Sequence, residues 1–178
     1  MRFRSWGAVV AVAVLAACGG DGGGGGGPTP PPASIAFTPT PGAAPNSIAL
    51  AQAAGSTSTT LRLDVRAEQV TGLYGVAFDL VYPSTALSFV SGAEGAFLGG
   101  TQTSFQIHES SPGRLVIGVT RLGAVAGVAG TGTLLTLQFG SRGAGTGSFF
   151  FEQNTAFNAS GGAIAGVTWR GGSVTVVP

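Results

Sequence analysis

From residue 35 onward the large apolar residues fall on alternate positions in short runs. The longest is Tyr74, Val76, Phe78, Leu80 and Tyr82, with Gly75, Ala77, Asp79 and Val81 between them. A period of two places successive side chains on opposite faces of a β-strand. The first set therefore predicts a core face, and the second an outward face of small residues with one carboxylate that meets water or a partner. Pro83 has no amide proton to donate and ends the ladder. The alternation returns in Leu61, Leu63, Val65 and Ala67 against Arg62, Asp64 and Arg66. It appears again in Leu115, Ile117 and Val119 against Arg114, Val116, Gly118 and Thr120, and in Leu135, Leu137 and Phe139. Shorter runs are Ile35/Phe37, Ile48/Leu50, Leu87/Phe89 and Phe105/Ile107. Phe149-Phe-Phe151 reads as a buried strand, and Trp169 to Val177 as the closing one. Breaks rich in Gly, Pro and Ser separate the runs: Gly92 to Gly100, the hairpin signal Ser110-Ser-Pro-Gly113, Gly123 to Gly132, Gly140 to Gly147, and Ala156 to Gly166. No helical period emerges. About nine short strands with turn signals predict a sandwich or jelly roll.

The first 32 residues depart from this pattern. Arg2 and Arg4 precede an apolar run from Trp6 to Ala17, which is too short to span a bilayer as a helix. A charged start, a short apolar core and small residues at the end describe an export signal. That end, Leu15-Ala16-Ala17-Cys18, resembles the signal of bacterial lipoproteins. The resemblance implies removal of residues 1–17 and lipid on Cys18, several acyl chains on one residue being enough for stable anchorage. Gly19 after that cysteine implies the outer membrane or cell surface, on its periplasmic or extracellular side. Gly19 to Gly27, broken only by Asp21, cannot bury apolar surface. Pro28-Thr-Pro-Pro-Pro32 favours an extended spacer. Residues 18–32 are thus expected to be a tether of roughly 30 Å, and residues 33–178 the folded domain, long enough for a two-sheet core.

Composition narrows the chemistry. Charged residues make up 8% of the 178, the net charge is +1, and all the basic residues are scattered arginines, so no basic footprint for nucleic acid exists. A single Cys and a single His exclude an internal disulfide and leave no metal-ligand spacing; no cofactor is expected. His108 and Glu109 are neighbours on a strand and point to opposite faces, a poor arrangement for an acid/base dyad. No Gly-x-Ser-x-Gly elbow is present. Gly143-Ala-Gly-Thr-Gly147 lies between strands and reads as a turn, not a dinucleotide loop. The sequence therefore offers no constellation for catalysis, and an enzyme is not expected.

The order of core positions resembles the cohesin family, whose members bind dockerin modules in polysaccharide-degrading assemblies. Gly72 through Phe89 carries the family's third strand and following turn: a Gly, an alternating core with Phe-x-Leu-x-Tyr, then Pro and a Leu-x-Phe run. Here Tyr82 meets Pro83 directly, where the family usually has an Asp before the Pro. Gly132-Thr-Leu-Leu-Thr-Leu-Gln-Phe139 resembles the eighth strand, and Phe151-Glu152, Ala156-Phe157-Asn158 and Gly171-Gly-Ser-Val-Thr-Val176 the closing segment. The resemblance implies an all-β, nine-stranded jelly-roll sandwich. It also implies a dockerin-type partner, held on a face that includes Gly75, Ala77, Asp79 and Val81 and continues over Val116, Gly118 and Thr120. Well-studied members are polar at the places of Gly75 and Ala77, so a flatter, more apolar contact is expected. The alternative is a carbohydrate-binding module of the same shape, for which Trp169 and Phe150 are the candidate displayed aromatics.

Overall fold

The computed structural model describes residues 33–42, 44–99 and 102–177. The expected export signal, Cys18 and the Gly/Pro tether lie outside the described residues. Eleven strands follow one another: β1 (Ser34–Pro39), β2 (Ser47–Gln52), β3 (Thr60–Leu73), β4 (Gly75–Val81), β5 (Leu87–Glu94), β6 (Thr103–Ser111), β7 (Arg114–Arg121), β8 (Val128–Ser141), β9 (Gly145–Phe157), β10 (Thr168–Arg170) and β11 (Gly172–Val177). They form two sheets, ordered β1-β11-β9-β4-β7-β6 and β10-β2-β3-β8-β5. The pairing is antiparallel except between β10 and β2. This is the all-β sandwich that the alternation predicts.

Eleven strands replace the expected nine, and the reason is clearest at the chain's end. The closing run breaks at Gly171. Trp169 joins β2 in one sheet, while β11 lies between β1 and β9 in the other. Several expected loops are also shorter than the Gly-rich sequence suggests. β5 reaches Glu94, β8 begins at Val128, and β9 runs to Phe157.

The apolar faces meet where the alternation places them. Leu61, Leu63 and Val65 of β3, Leu135, Leu137 and Phe139 of β8, Val76, Phe78 and Leu80 of β4, and Leu115, Ile117 and Val119 of β7 are all buried. Burying each such side chain contributes about 1.5–3 kcal/mol. Tyr82 and Phe149 pack on Phe139 with ring centroids 5.1 and 5.2 Å away. Ser110 to Gly113 makes the predicted hairpin, with Gly113 at a φ of 91°, a value that favours glycine.

Two core assignments need correction. Tyr74 is only half-buried; it falls between β3 and β4, Leu73 takes the core position, and the Tyr74 hydroxyl donates to the Gly123 carbonyl at 2.6 Å. The phenylalanine triplet is not buried as a unit. Phe149 is 2% exposed and Phe150 45%, because neighbours on a strand point to opposite faces.

Candidate functional site

β9, β4, β7 and β6 lie side by side, and register aligns their outward residues in rows. One row runs Phe157, Gly75, Thr120, Ser104; the next Thr155, Ala77, Gly118, Gln106; the third Glu152, Asp79, Val116, His108. Beyond it Phe150 pairs with Val81, and Val81 with Arg114. The residues expected to form a partner face from β4 and β7 are therefore adjacent in space. Ala77 is exposed and Gly118 half-buried, and together they floor a shallow depression of about 370 Å³, whose rim includes Phe157, Val116, Gln106 and His108.

Two positions do not face water as their parity predicts. Gly75 is buried because the Phe157 ring lies over it; a methyl there would stand 2.5 Å from Phe157 Cζ and 2.8 Å from Thr120 Oγ1. Asp79 is 9% exposed, because Arg114 crosses from β7 and covers it. Arg114 Nη1 donates to Asp79 Oδ2 at 2.6 Å, and Nη2 to Glu152 Oε2 at 2.5 Å. One guanidinium thus ties three strands together. These hydrogen bonds, that to Asp79 first, hold the Arg114 pKa above its ordinary value. Two carboxylates against one guanidinium leave the cluster one negative charge in surplus.

Glu152 reaches this cluster through a bulge. Ala77 pairs with Thr155 but Asp79 with Glu152, so Gln153 and Asn154 together oppose Phe78. Gln153 has a φ of 47°, and two residues opposing one resets the alternation. Glu152, ahead of the bulge, stays in phase with the outward Phe150, whereas past it Ala156 faces the core and Phe157 turns out over Gly75. Arg114, Glu152, Phe150 and Phe157 all belong to the face and were not among the residues expected there. For Arg114 and Phe150 the signal was parity alone: Arg114 is in phase with Val116, and Phe150 out of phase with Phe149.

Around this cluster the face is apolar and lightly charged. Val116 is 44% exposed, and Phe150 is the only exposed aromatic among the described residues. Trp169 is not displayed: it packs against Phe78 and Phe151 with centroids 5.4 and 5.2 Å away. Among the described residues no row of exposed aromatics is laid out for a sugar. His108 and Glu109 diverge as expected. His108 lies opposite Val116, while Glu109 accepts a hydrogen bond from the Tyr82 hydroxyl. Burial first, then that bond, raises the Tyr82 pKa above its ordinary value. Among the described residues no group of three or more His, Cys, Asp and Glu is placed to hold a metal.

The other sheet's outer face is different in kind. Arg62, Asp64, Arg66 and Glu68 form a charged row with local partners: Asp64 accepts from Thr136 at 2.6 Å, and Arg66 pairs with Glu68 at 2.9 Å. Such exposed pairs contribute little, commonly about 0–1 kcal/mol.

No family model matches the chain, and no curated protein matches it. Solved structures do. A type II cohesin domain from the cellulosome of Acetivibrio cellulolyticus is 15% identical with a TM-score of 0.58, the match covering 82% of this chain and 95% of that one. A mutant type II cohesin–X–dockerin complex from the same organism contains a chain that is 15% identical with a TM-score of 0.57, covering 78% and 95%. A non-cellulosomal cohesin from the archaeon Archaeoglobus fulgidus is 14% identical with a TM-score of 0.51, covering 63% and 77%. The described sandwich is thus of the jelly-roll type. More particularly, it has the cohesin fold.

Proposed function

We propose that this chain is a non-catalytic docking module that binds a dockerin-type protein through the outer face of β9, β4, β7 and β6. The observation that carries the reading is the character of that face: small residues around an exposed Val116 and Phe150, with its strong charges tied to one another. Small residues let a partner's helices approach closely, and a few contacts supply most of the binding energy of such an interface. The cohesin fold, seen in one neighbour in a complex with dockerin, supports the same reading.

The test is titration of the full-length chain with dockerin modules from genomes that encode such chains, by calorimetry. Ala77→Arg puts bulk at the centre of the face, over the depression that Ala77 and Gly118 floor. It should weaken binding about thirtyfold, roughly 2 kcal/mol, with thermal unfolding unchanged because Ala77 points away from the core. Retention of polysaccharide with no protein partner would move the assignment to sugar binding.

The second part of the proposal is anchorage through lipid on Cys18, which would present the module at the outer membrane or cell surface as part of polysaccharide degradation. Leu15-Ala-Ala-Cys18 and the glycine-rich stretch after it support this. In cells fed a labelled fatty acid, the native chain should carry label and Cys18→Ala should not; equal labelling of both would end the idea.

A further inference from the structure

The two sheets present four edge strands, and three of them are blunted. β1 is six residues long and ends in Pro39, β10 has three residues, and β5 is interrupted by a bulge at Val90, between Phe89 and Ser91. Short strands, prolines and bulges keep a sheet edge from pairing with another chain. β6 has none of these devices. Its nine residues include no Pro or Lys, and its one register shift, between Glu109 and Ser111, falls at the hairpin end.

The ladder fixes which backbone groups of β6 face outward from the edge. The Leu122 amide donates to the Gln102 carbonyl at 2.8 Å, whereas the Arg121 amide donates to Tyr74, on the β4 side. Antiparallel pairs alternate between hydrogen-bonded and non-hydrogen-bonded, so Ser104, Gln106 and His108 bond to β7. The N–H and C=O groups of Thr103, Phe105, Ile107 and Glu109 therefore point to the open edge, and none of them makes a backbone hydrogen bond elsewhere among the described residues.

We propose that this edge pairs with β6 of a second copy of the chain, antiparallel about a two-fold axis through Gln106. Phe105 then lies opposite Ile107 of the second copy, Thr103 opposite Glu109, and Ser104 opposite His108. This is the symmetric register that pairs all four of the edge-facing residues with one another, and their amides and carbonyls make eight hydrogen bonds between the copies. An aromatic facing a β-branched side chain is a favourable cross-strand pair, and Phe105 and Ile107 are half-buried at the rim of the core, where a facing strand completes their cover. The one carboxylate of β6 faces a threonine, so no like charges are opposed. Such self-complementarity is what a two-fold interface requires, and it favours a second copy over an unrelated strand. The axis stands perpendicular to the sheet, so the two six-stranded sheets become continuous and both Ala77 surfaces look the same way.

The test is disulfide trapping in the full-length chain, with Cys18→Ala removing the only native thiol. Gln106 would meet its own copy in a non-hydrogen-bonded pair, with Cα atoms about 4.5 Å apart, a span that a disulfide bridges. Gln106→Cys should therefore link to itself under mild oxidation. Ser104→Cys and His108→Cys are each displaced from their own copies by about 13 Å along the strand; each should stay unlinked alone, and the two should link when mixed. Gln106→Lys sets two ammonium groups face to face and should weaken self-association about tenfold at low salt. Gln106→Glu should do the same, and an equimolar mixture of the two should recover the native affinity. Sedimentation velocity reads the association, and thermal midpoints matching the native one show that each variant is folded, as expected for an exposed side chain. A native chain that sediments as a monomer at its highest soluble concentration, equal self-linkage of all three thiols, or a Gln106→Cys thiol trapped on a different protein would each overturn the pairing. None of these outcomes bears on the docking reading, which rests on the face of the sheet and not on its edge.

Discussion

Replacing Phe78 by alanine is expected to lower the unfolding free energy by about 3–5 kcal/mol. Phe78 is 2% exposed, and its ring meets Phe151 edge-on at 5.1 Å and Trp169 at 5.4 Å. Trp169 comes from the opposite sheet, so this one ring joins the two layers. The hole left behind would not close easily: β10, which carries Trp169, is held to β2 by three parallel pairs, and Phe151 sits in a strand paired on both sides. Denaturant midpoints would register the loss with little change in slope. Val116→Ala on the outer face of the same sheet should stay within about 0.5 kcal/mol. Equal losses for the two would mean that the faces of this sheet are assigned backwards.

Gly171→Ala should be nearly as damaging, for the opposite reason. A Cβ at Gly171 would stand 1.9 Å from the carbonyl oxygen of Phe149, 2.8 Å from its carbon and 3.2 Å from Phe150 Cα. All three are backbone atoms of β9 and cannot swing aside as a side chain would. Nor can Gly171 retreat freely, because its own carbonyl accepts the Thr40 amide at 3.0 Å. The added methyl must therefore part the ladder between β9 and β11 or break the bond to Thr40. Overpacking of this kind costs about 3 kcal/mol at the upper end of its usual range, a fall of roughly 6–12 °C in the melting midpoint for a chain of this size. A variant melting with the native protein would show that the turn has room to shift.

The strand pattern was legible wherever alternation ran unbroken. Val76, Phe78, Leu80 and Tyr82 sit in the core as their spacing requires. Legibility failed at the bulges. Gln69 and Gln153 adopt φ values of 49° and 47°, and glutamine carries none of the glycine or asparagine signal that usually marks such a conformation. Past Gln153 the parity of β9 inverts, so nothing in the local sequence says that Phe157 will roof Gly75. The ion cluster was hidden for another reason. Arg114 meets partners 35 and 38 positions away, and only the order of strands in the sheet brings them together. Alternation says which side of a strand a residue is on, but not which strand lies next to it. Asp79 thus read as a carboxylate open to water or a partner, while the fold roofs it with an arginine.

The pairing at the sheet's far edge bears on how the molecule carries load. β1 is an edge strand, hydrogen-bonded to β11, and two strands separate it from β4, roughly 14 Å at the usual spacing. A pull on the chain ahead of Ser34 is therefore taken first by the β1–β11 ladder. Under tension that ladder opens from Ser34↔Val177 and meets its firmest point at the fourth pair, Phe37↔Val174, where Phe37 is 8% exposed and packs on Phe149 at 5.9 Å. Fraying up to that point leaves β9, β4, β7 and β6 in register. The edge position of β1 thus separates the N-terminal attachment point from the surface around Ala77: loosening β1 removes no pairing among β9, β4, β7 and β6.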